Sequence, residues 1–305
     1  MRCPSPGARS GGGKPRHCRN QSPVTRQTSF YYSFLVLPKR KRDVIVAVWD
    51  FCRAVDDAVD LEPDPVRARL ALDGWRAEVA RLFSGETPLS RQGAALKPFV
   101  APFHLPREQF DALIDGVGMD ITPQRFATFA DLEVYCHRVA SSVGLVCAEI
   151  FGYRDPAVVT YARDLGVALQ LTNILRDVGV DLKQGRMYLP IEDLERCGVT
   201  EADILNEVEH AGRGVRSPKV RAVLEHQASR ARVFFSRAVR VLPPHEARAV
   251  LAAEIMRGIY SELLRRMESV GFDVFTGLVR VPRGVQAVIA MRTWGQVRLG
   301  RPRRG

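Results

Sequence analysis

The 305-residue sequence lacks the features that would place it among membrane-spanning, secreted or nucleotide-binding proteins. No stretch reaches the roughly 18 consecutive apolar residues typical of a membrane-spanning helix. The N-terminal residues contain arginine and glycine but no apolar core, so they predict no secretory signal. No GxGxxG fingerprint follows a predicted strand and no Walker-type loop is present. We therefore expect neither a nucleoside triphosphate site nor an NADPH site.

Cysteine is scarce, and its spacing favours a reduced, intracellular protein. The six cysteines form no CxxC pair and have no metal-type spacing. Several lie within apolar helical runs, where a free cysteine behaves as a small core residue. The pattern predicts structural cysteines in a cytoplasmic protein.

Acidic residues are missing from both ends of the chain, although the formal net charge is +11. Residues 1–26 hold six Lys/Arg and residues 280–305 hold seven Arg, and neither stretch has an acid, which leaves 32 bases against 34 acids elsewhere. Basic ends are commonly solvated tails, but they also attract anionic lipid at about 1 kcal/mol per basic residue near the surface. The terminal tails do not interleave aromatics with arginines, so nucleic acid is not an expected partner.

The apolar periodicity predicts an all-α protein. No alternating strand pattern or internal repeat is present. We expect a disordered basic tail at 1–26, one domain over 27–295 with about ten helices around a central cavity, and a basic C-terminal tail at 296–305. The predicted helices cover 42–60, 66–84, 91–103, 107–118, 129–152, 156–183, 191–197, 200–209, 217–241, 244–269 and 282–295.

A polar stripe runs along the predicted helix that contains residues 170–181. Gln170, Asn173, Asp177 and Asp181 are spaced by three or four residues and therefore share one helix face. The flanks of that face are apolar. Short oxygen-bearing side chains suit Mg²⁺ and would line a cavity, whereas the alternative is an ordinary polar helix face with a satisfied asparagine.

A second stripe on the helix at 42–60 favours the cavity. Asp56 and Asp60 repeat the spacing of Asp177 and Asp181 about 120 residues away. Four carboxylates facing one cavity repel each other unless divalent cations lie between them. We interpret the pair of stripes as a clamp for a diphosphate held by Mg²⁺, with Mn²⁺ as the alternative ion. Arg53 and Arg176 stand beside the stripes and could stabilise a departing diphosphate.

Aromatic and small apolar residues accompany both stripes, including Phe30, Trp49, Val139 and Leu145. An apolar cavity with a diphosphate clamp suits an isoprenoid diphosphate. Loss of diphosphate would leave an allylic carbocation that the apolar walls shield from water.

Five segments resemble the squalene/phytoene synthase family in sequence, order and spacing, and the resemblance covers nearly all of residues 28–295. They are SFYY at 29–32, FCRAVDDAVD at 51–60, YCHRVASSVG at 135–144, QLTNILRDVGVD at 170–181 and GRMYLP at 185–190. The resemblance implies the all-α isoprenoid synthase fold and the Mg²⁺-dependent head-to-head condensation of two prenyl diphosphates.

The resemblance also implies roles for individual residues. Asp56, Asp60, Asn173, Asp177 and Asp181 would face the metals and diphosphates. Further residues would act on the substrate: Arg53 as a phosphate ligand, Ser29, Trp49 and Gln170 as its lining, and Tyr135 and Tyr260 near the reacting carbons. Two loop residues, Arg186 and Tyr188, either close over the site or cap the preceding helix.

The segment VASSVG at 139–144 is more similar to bacterial presqualene diphosphate synthases of hopanoid pathways than to phytoene synthases. Farnesyl diphosphate is therefore the expected substrate. The alternatives are a phytoene synthase that uses geranylgeranyl diphosphate and a non-catalytic helical assembly factor of the same family. We expect peripheral contact with the inner face of the cytoplasmic membrane, and enzymes downstream in the squalene pathway are candidate partners.

Overall fold

The computed structural model describes residues 31–122, 125–211 and 217–299. Ser29, the tail 1–26 and the end of the C-terminal tail lie outside the described residues. The α-helices, in chain order, are α1 Tyr31–Leu35, α2 Lys39–Asp60, α3 Pro65–Ser84, α4 Arg91–Val100, α5 Arg107–Gly118, α6 Phe129–Cys136, α7 Ser142–Phe151, α8 Ala157–Lys183, α9 Ile191–Arg196, α10 Glu201–Glu209, α11 Pro218–Val241, α12 Leu251–Ser269 and α13 Arg283–Arg298.

The predicted all-α class is confirmed. In the described ranges, β-pairing is limited to one isolated bridge between Arg125 and Met187. Helix α2 buries Val44, Phe51 and Val55, at the spacing that the sequence predicted. Helix α3 begins at its cap Asp64, whose side chain accepts from the Val66 amide, and ends at Gly85 with φ 85°.

The 27-residue helix α8 forms the centre of the bundle. It packs along α11 on one side and against α7 on another. Its buried residues are predominantly apolar and occupy most of its circumference. A helix this enclosed exposes its polar stripe only where a cavity opens beside it.

The helix predicted at 129–152 is interrupted by one π-helical turn, His137–Ser141, between α6 and α7. This turn packs against α5 and α8, and glycine on each of those helices permits the approach. A Cβ at Gly116 would lie 2.7 Å from the Cβ of Arg138, and one at Gly166 would lie 2.6 Å from the Cα of Ser141. The π turn is therefore held on two sides by positions that have no room for a side chain.

Other boundaries differ by a few residues from the prediction. Helix α4 ends at Val100, before a turn, and the helix predicted at 244–269 starts with the 3₁₀ turn Pro244–Arg248 followed by α12. Helix α13 continues to Arg298, beyond the start of the predicted tail at 296. The short α1 was not predicted.

By length and composition, the stretch Phe129–Phe151 could cross a membrane. In the bundle this stretch packs against α5 and α8. We interpret it as a core segment, since an apolar core helix meets the same criteria.

Candidate active site

An open pocket lies between α2 and α8, and both predicted polar stripes face it. The residues that line it are Asp56, Asp60, Val117, Asp120, Tyr135, Val139, Gln170, Asn173, Ile174, Asp177, Asp181, Arg186 and Tyr188. The structure therefore brings together two helices whose acidic pairs are separated by about 120 residues of sequence.

On α2, the two acids of the stripe differ in their partners. Asp60 accepts a hydrogen bond from the Arg186 guanidinium, with Nη2 and Oδ1 2.8 Å apart. Asp56 has no ion pair within the described ranges. Its side chain is exposed to solvent inside the pocket, and protein surrounds the pocket on its other sides. Burial, followed by the charges of Asp60 and Asp120, raises the pKa of Asp56 to about 7.

On α8, Arg176 holds Asp177 in a bidentate pair. The Nε–Oδ1 distance is 2.8 Å and the Nη2–Oδ2 distance is 2.5 Å. One turn later, Asp181 has no such partner in the part of the chain that the structure describes. Burial and the neighbouring Asp177 charge raise the pKa of Asp181 to about 7, although Arg186 opposes this shift.

Asn173 and Tyr260 meet at the other end of the α8 stripe. Tyr260 is buried on α12, and its side chain hydrogen-bonds with those of Asn173 and Arg176. Burial is the main reason that the pKa of Tyr260 is raised. The Oδ1 atom of Asn173 is buried and has no hydrogen-bond partner among the described residues. An orphaned carbonyl oxygen of this kind suits a cation.

Asp120 joins two tyrosines in the pocket, and the sequence reasoning missed it. The Tyr188 hydroxyl donates to Oδ1 at 2.7 Å, and the Tyr135 hydroxyl donates to Oδ2 at 2.8 Å. The two phenol rings stack with their centroids 5.2 Å apart, beside Phe126. Burial raises the pKa of Asp120, and hydrogen bonds from Tyr188 and Tyr135 oppose that shift.

The loop after α8 places Arg186 and Tyr188 in the pocket. Gly185 has φ 77°, a left-handed conformation that favours glycine. The Arg186 amide donates to the Asp181 carbonyl at 2.9 Å, so this residue ends α8 with its backbone while its side chain reaches Asp60 on α2. Arg125 holds the loop from outside by donating to the Gly185 carbonyl at 2.9 Å. Arg186 therefore caps α8 through its backbone, and the side chains of Arg186 and Tyr188 line the pocket.

Some predicted site residues lie outside the pocket lining. Arg53 is exposed, with its Nη2 3.8 Å from Oδ1 of Asp57. Trp49 is half-buried one turn earlier on α2. Tyr260 and Arg176 stand behind the Asn173–Asp177 part of the stripe. Direct contact of these side chains with a substrate stays a prediction, as does that of Ser29.

The carboxylate and amide oxygens of the pocket suit a hard divalent ion whose remaining ligands come from the substrate. Within the described ranges, no three His, Cys, Asp or Glu side chains come close enough to hold a metal by themselves. The carboxylates are instead divided between two helices, and Asp56 and Asp181 lack a cationic partner there. Mg²⁺ ordinarily binds one or two carboxylates and completes its shell with water and phosphate oxygens. The carboxylates and the free Asn173 oxygen match that requirement.

The sequence is similar to characterised prenyl-transferring enzymes over most of its length. The family model for squalene/phytoene synthase matches residues 24–285. A presqualene diphosphate synthase from Zymomonas mobilis is 38% identical, with 81% of this chain and 82% of the relative aligned. A 15-cis-phytoene synthase from Synechococcus elongatus is 36% identical, with 83% of this chain and 84% of the relative aligned.

Solved structures of related enzymes have the same fold. A dehydrosqualene synthase in complex with a ligand superposes with a TM-score of 0.78 at 27% identity, over 90% of this chain and 93% of that chain. A squalene synthase from Alicyclobacillus acidocaldarius gives a TM-score of 0.70 at 30% identity, over 80% and 89% of the two chains. These similarities confirm the predicted isoprenoid synthase fold and identify a prenyl transferase. The chain belongs to the squalene/phytoene synthase family.

Proposed function

We propose that the protein condenses two farnesyl diphosphates head to head into presqualene diphosphate and releases one diphosphate, as a step of squalene or hopanoid biosynthesis. The observation that carries this proposal is the meeting of two acidic stripes across one pocket that also contains stacked phenols. In the reaction, the C1–O bond of one substrate breaks, and C1 bonds to the double bond of the other. Loss of a proton then closes a cyclopropane ring.

Asp56 and Asp60 from α2, with Asn173, Asp177 and Asp181 from α8, are the residues that would hold Mg²⁺, or Mn²⁺ in its place. The bound ions would supply charge neutralisation of the diphosphate, which makes it a better leaving group. Gln170 lies one turn before Asn173 in the same lining. Arg186 and Arg176 add fixed positive charge next to the two stripes.

The stacked phenols provide electron-rich groups for the prenyl part of the substrate, which becomes positively charged during the reaction. Both hydroxyls donate hydrogen bonds to the Asp120 carboxylate, so the phenol oxygens and rings become richer in electron density. Preorganised electron-rich groups favour a nearby carbocation. We assign Tyr135 and Tyr188 to this role, with Asp120 as the residue that orients them.

The chain length of the substrate is tested by a direct comparison. Purified protein with Mg²⁺ and farnesyl diphosphate is expected to release diphosphate and give a cyclopropyl product without NADPH, as identified by mass spectrometry. Turnover of geranylgeranyl diphosphate and not of farnesyl diphosphate would instead establish a phytoene synthase, which the 36% identical relative also supports. The VASSVG segment at 139–144 favours the farnesyl substrate.

A non-catalytic assembly role is the alternative from another class. The presence of all four stripe carboxylates disfavours it, because a scaffold has no use for a costly group of like charges. Absence of turnover with both prenyl diphosphates, in protein that is folded and supplied with Mg²⁺, would support the scaffold.

We also propose that the enzyme works in the cytoplasm at the inner face of the cytoplasmic membrane, near downstream enzymes of the squalene pathway. The basic ends and a very apolar product support this location. Vesicle flotation of a chain without residues 1–26 and 300–305 tests the contribution of the ends. Unchanged flotation would remove the role of these tails.

A further inference from the structure

Helix α13 is the last helix of the bundle, and it presents an unusually apolar surface to solvent. One face packs on α12 and α1. On the opposite side, the exposed fractions are 57% for Val288, 65% for Met291, 44% for Trp294 and 67% for Leu299 just after the helix. Gln286 is the one buried residue of this helix. The outward apolar surface therefore does not belong to the core.

The outward apolar residues form one continuous strip along α13, with an arginine on each side of it. With 3.6 residues per turn, Met291, Gly295, Val288 and Leu299 follow one another across the outward face. Arg298 falls on one edge of that face, and Arg292 falls on the other. The Arg298 guanidinium stacks on the Trp294 ring, 4.7 Å from its centroid. Arginines at the margins of an apolar face can extend to headgroups while their stems cover apolar surface.

The charge around this face selects its partner. Residues 280–305 contain seven arginines and no acidic residue. A symmetric contact between two copies of α13 would place these arginines against each other, which is unfavourable. An anionic lipid surface instead offers opposite charge for the arginines and an apolar boundary for the side chains between them.

We propose that the outward face of α13, defined by Val288, Met291 and Leu299 with Arg292 and Arg298 at its edges and Trp294 beside Arg298, docks on an anionic bilayer. Docking through this face would both hold the enzyme at the bilayer and fix its orientation relative to the bilayer. On its inner side, α13 approaches α12 so closely that a Cβ at Gly258 would lie 2.8 Å from Cγ2 of Ile289. Gly258 is two residues from Tyr260, so the helix that docks on the membrane packs directly on a helix that supports the catalytic pocket.

The test is sedimentation of the full-length protein with phosphatidylcholine vesicles, with and without phosphatidylglycerol, in the absence of substrate. We expect binding only when the anionic lipid is present. The double variant Val288→Ser/Met291→Ser should lower the partition coefficient about tenfold or more. Arg292→Gln/Arg298→Gln should lower it by about fivefold for each arginine. Brominated phosphatidylglycerol should quench a fluorescence component that is missing in Trp294→Phe.

A matched control comes from α3, where Val66 and Leu70 are 66% and 64% exposed. Val66→Ser/Leu70→Ser removes a similar apolar area and should leave vesicle binding unchanged. The proposal is overturned if both double serine variants bind like the unmodified protein, if they weaken binding equally, or if light scattering shows that the α13 variants convert a dimer into monomers. Because vesicle binding is measured without turnover, its failure leaves the proposed condensation untouched, and a catalytic failure leaves the docking surface untouched.

Discussion

The acidic stripes of α2 and α8 have the same spacing, but their charges are neutralised in different ways. On α8, Asp177 is paired by its chain neighbour Arg176. On α2, Asp60 is paired by Arg186, which lies 126 residues away on the loop after α8. The first pair forms with the helix itself. The second forms only when the loop is in place.

The two stripes nevertheless reach a similar electrostatic result. Each contains one paired carboxylate and one, Asp56 or Asp181, whose pKa is raised to about 7. Each side of the pocket therefore has one carboxylate without an ion pair among the described residues, and cations that bridge the two helices would neutralise both. Helix α8 therefore supplies a fixed half of the clamp, whereas the half on α2 is completed by a loop.

The largest effect should come from removing an unpaired carboxylate. We expect Asp56→Asn to lower kcat by about a thousandfold, because a lost metal contact affects several kcal/mol of transition-state energy. Asp57→Asn is the matched control, since its partner Arg53 is exposed and 3.8 Å away. That variant should retain activity within about threefold. Equal losses in steady-state assays would contradict the assignment of Asp56 to the metal face.

The two ion pairs should respond differently when each is removed. Arg176→Gln leaves Asp177 partly buried without its bidentate partner and should destabilise the protein by about 1–3 kcal/mol in urea unfolding. Arg186→Gln should cost less stability, because half of the Asp60 side chain is exposed. It should instead raise the KM for the prenyl diphosphate about tenfold. The reverse pattern would mean that the loop, rather than α8, holds the fixed half of the clamp.

A smaller effect is expected at the pair of phenols. The asparagine in Asp120→Asn can accept a hydrogen bond from one hydroxyl through its carbonyl oxygen. It lacks the negative charge that orders both Tyr135 and Tyr188. We expect kcat to fall about tenfold. The proportion of prenyl alcohol formed by water capture should rise, as measured by mass spectrometry of all products. A fall in kcat with an unchanged product ratio would assign Asp120 a purely structural role.

The smallest effect should be a pH-dependent change in Tm. The pKa values of Asp56 and Asp181 are raised, so the folded protein binds protons more tightly than the unfolded chain. The resulting stability is complete below the unfolded pKa of about 4 and is lost as the pH rises through about 7. We expect the Tm of metal-free protein to fall by about 2–4 °C from about pH 6 to about pH 8.

Mg²⁺ with a non-reactive diphosphate should recover that loss mainly at the higher pH, where both carboxylates are charged and free to bind the ion. In Asp181→Asn the pH dependence of the metal-free protein should become weaker. A Tm that rises with pH in the metal-free protein would show that these carboxylates are not desolvated.

Sequence reasoning succeeded where a repeating pattern carries the information. The burial of Val44, Phe51 and Val55 on one side of α2 and the common face of Asn173, Asp177 and Asp181 follow from helical spacing alone. Both depend on which residues share one face of a single helix, so the period is sufficient to predict them.

Asp120 could not be predicted in this way, because it lies in the single turn Met119–Ile121 and shares a face with no other acid. Its importance comes from two tyrosines that approach from α6 and from the loop after α8. The exposed position of Arg53 was equally out of reach, since motif similarity does not specify side-chain direction. The π turn depends on close packing against Gly116 and Gly166, which only the assembled bundle reveals.

The π turn at 137–141 also fixes the number of residues that must lie between α6 and α7. It inserts one residue relative to an α-helix, so α6 and α7 differ in rotational phase by about 100° from a continuous helix. Deleting one residue would merge them into a single regular helix. Either Tyr135 would then turn away from the pocket, or the buried side of α7 with Val146 and Ile150 would turn outward. Natural variation within this segment should therefore consist of substitutions and contain no insertions or deletions.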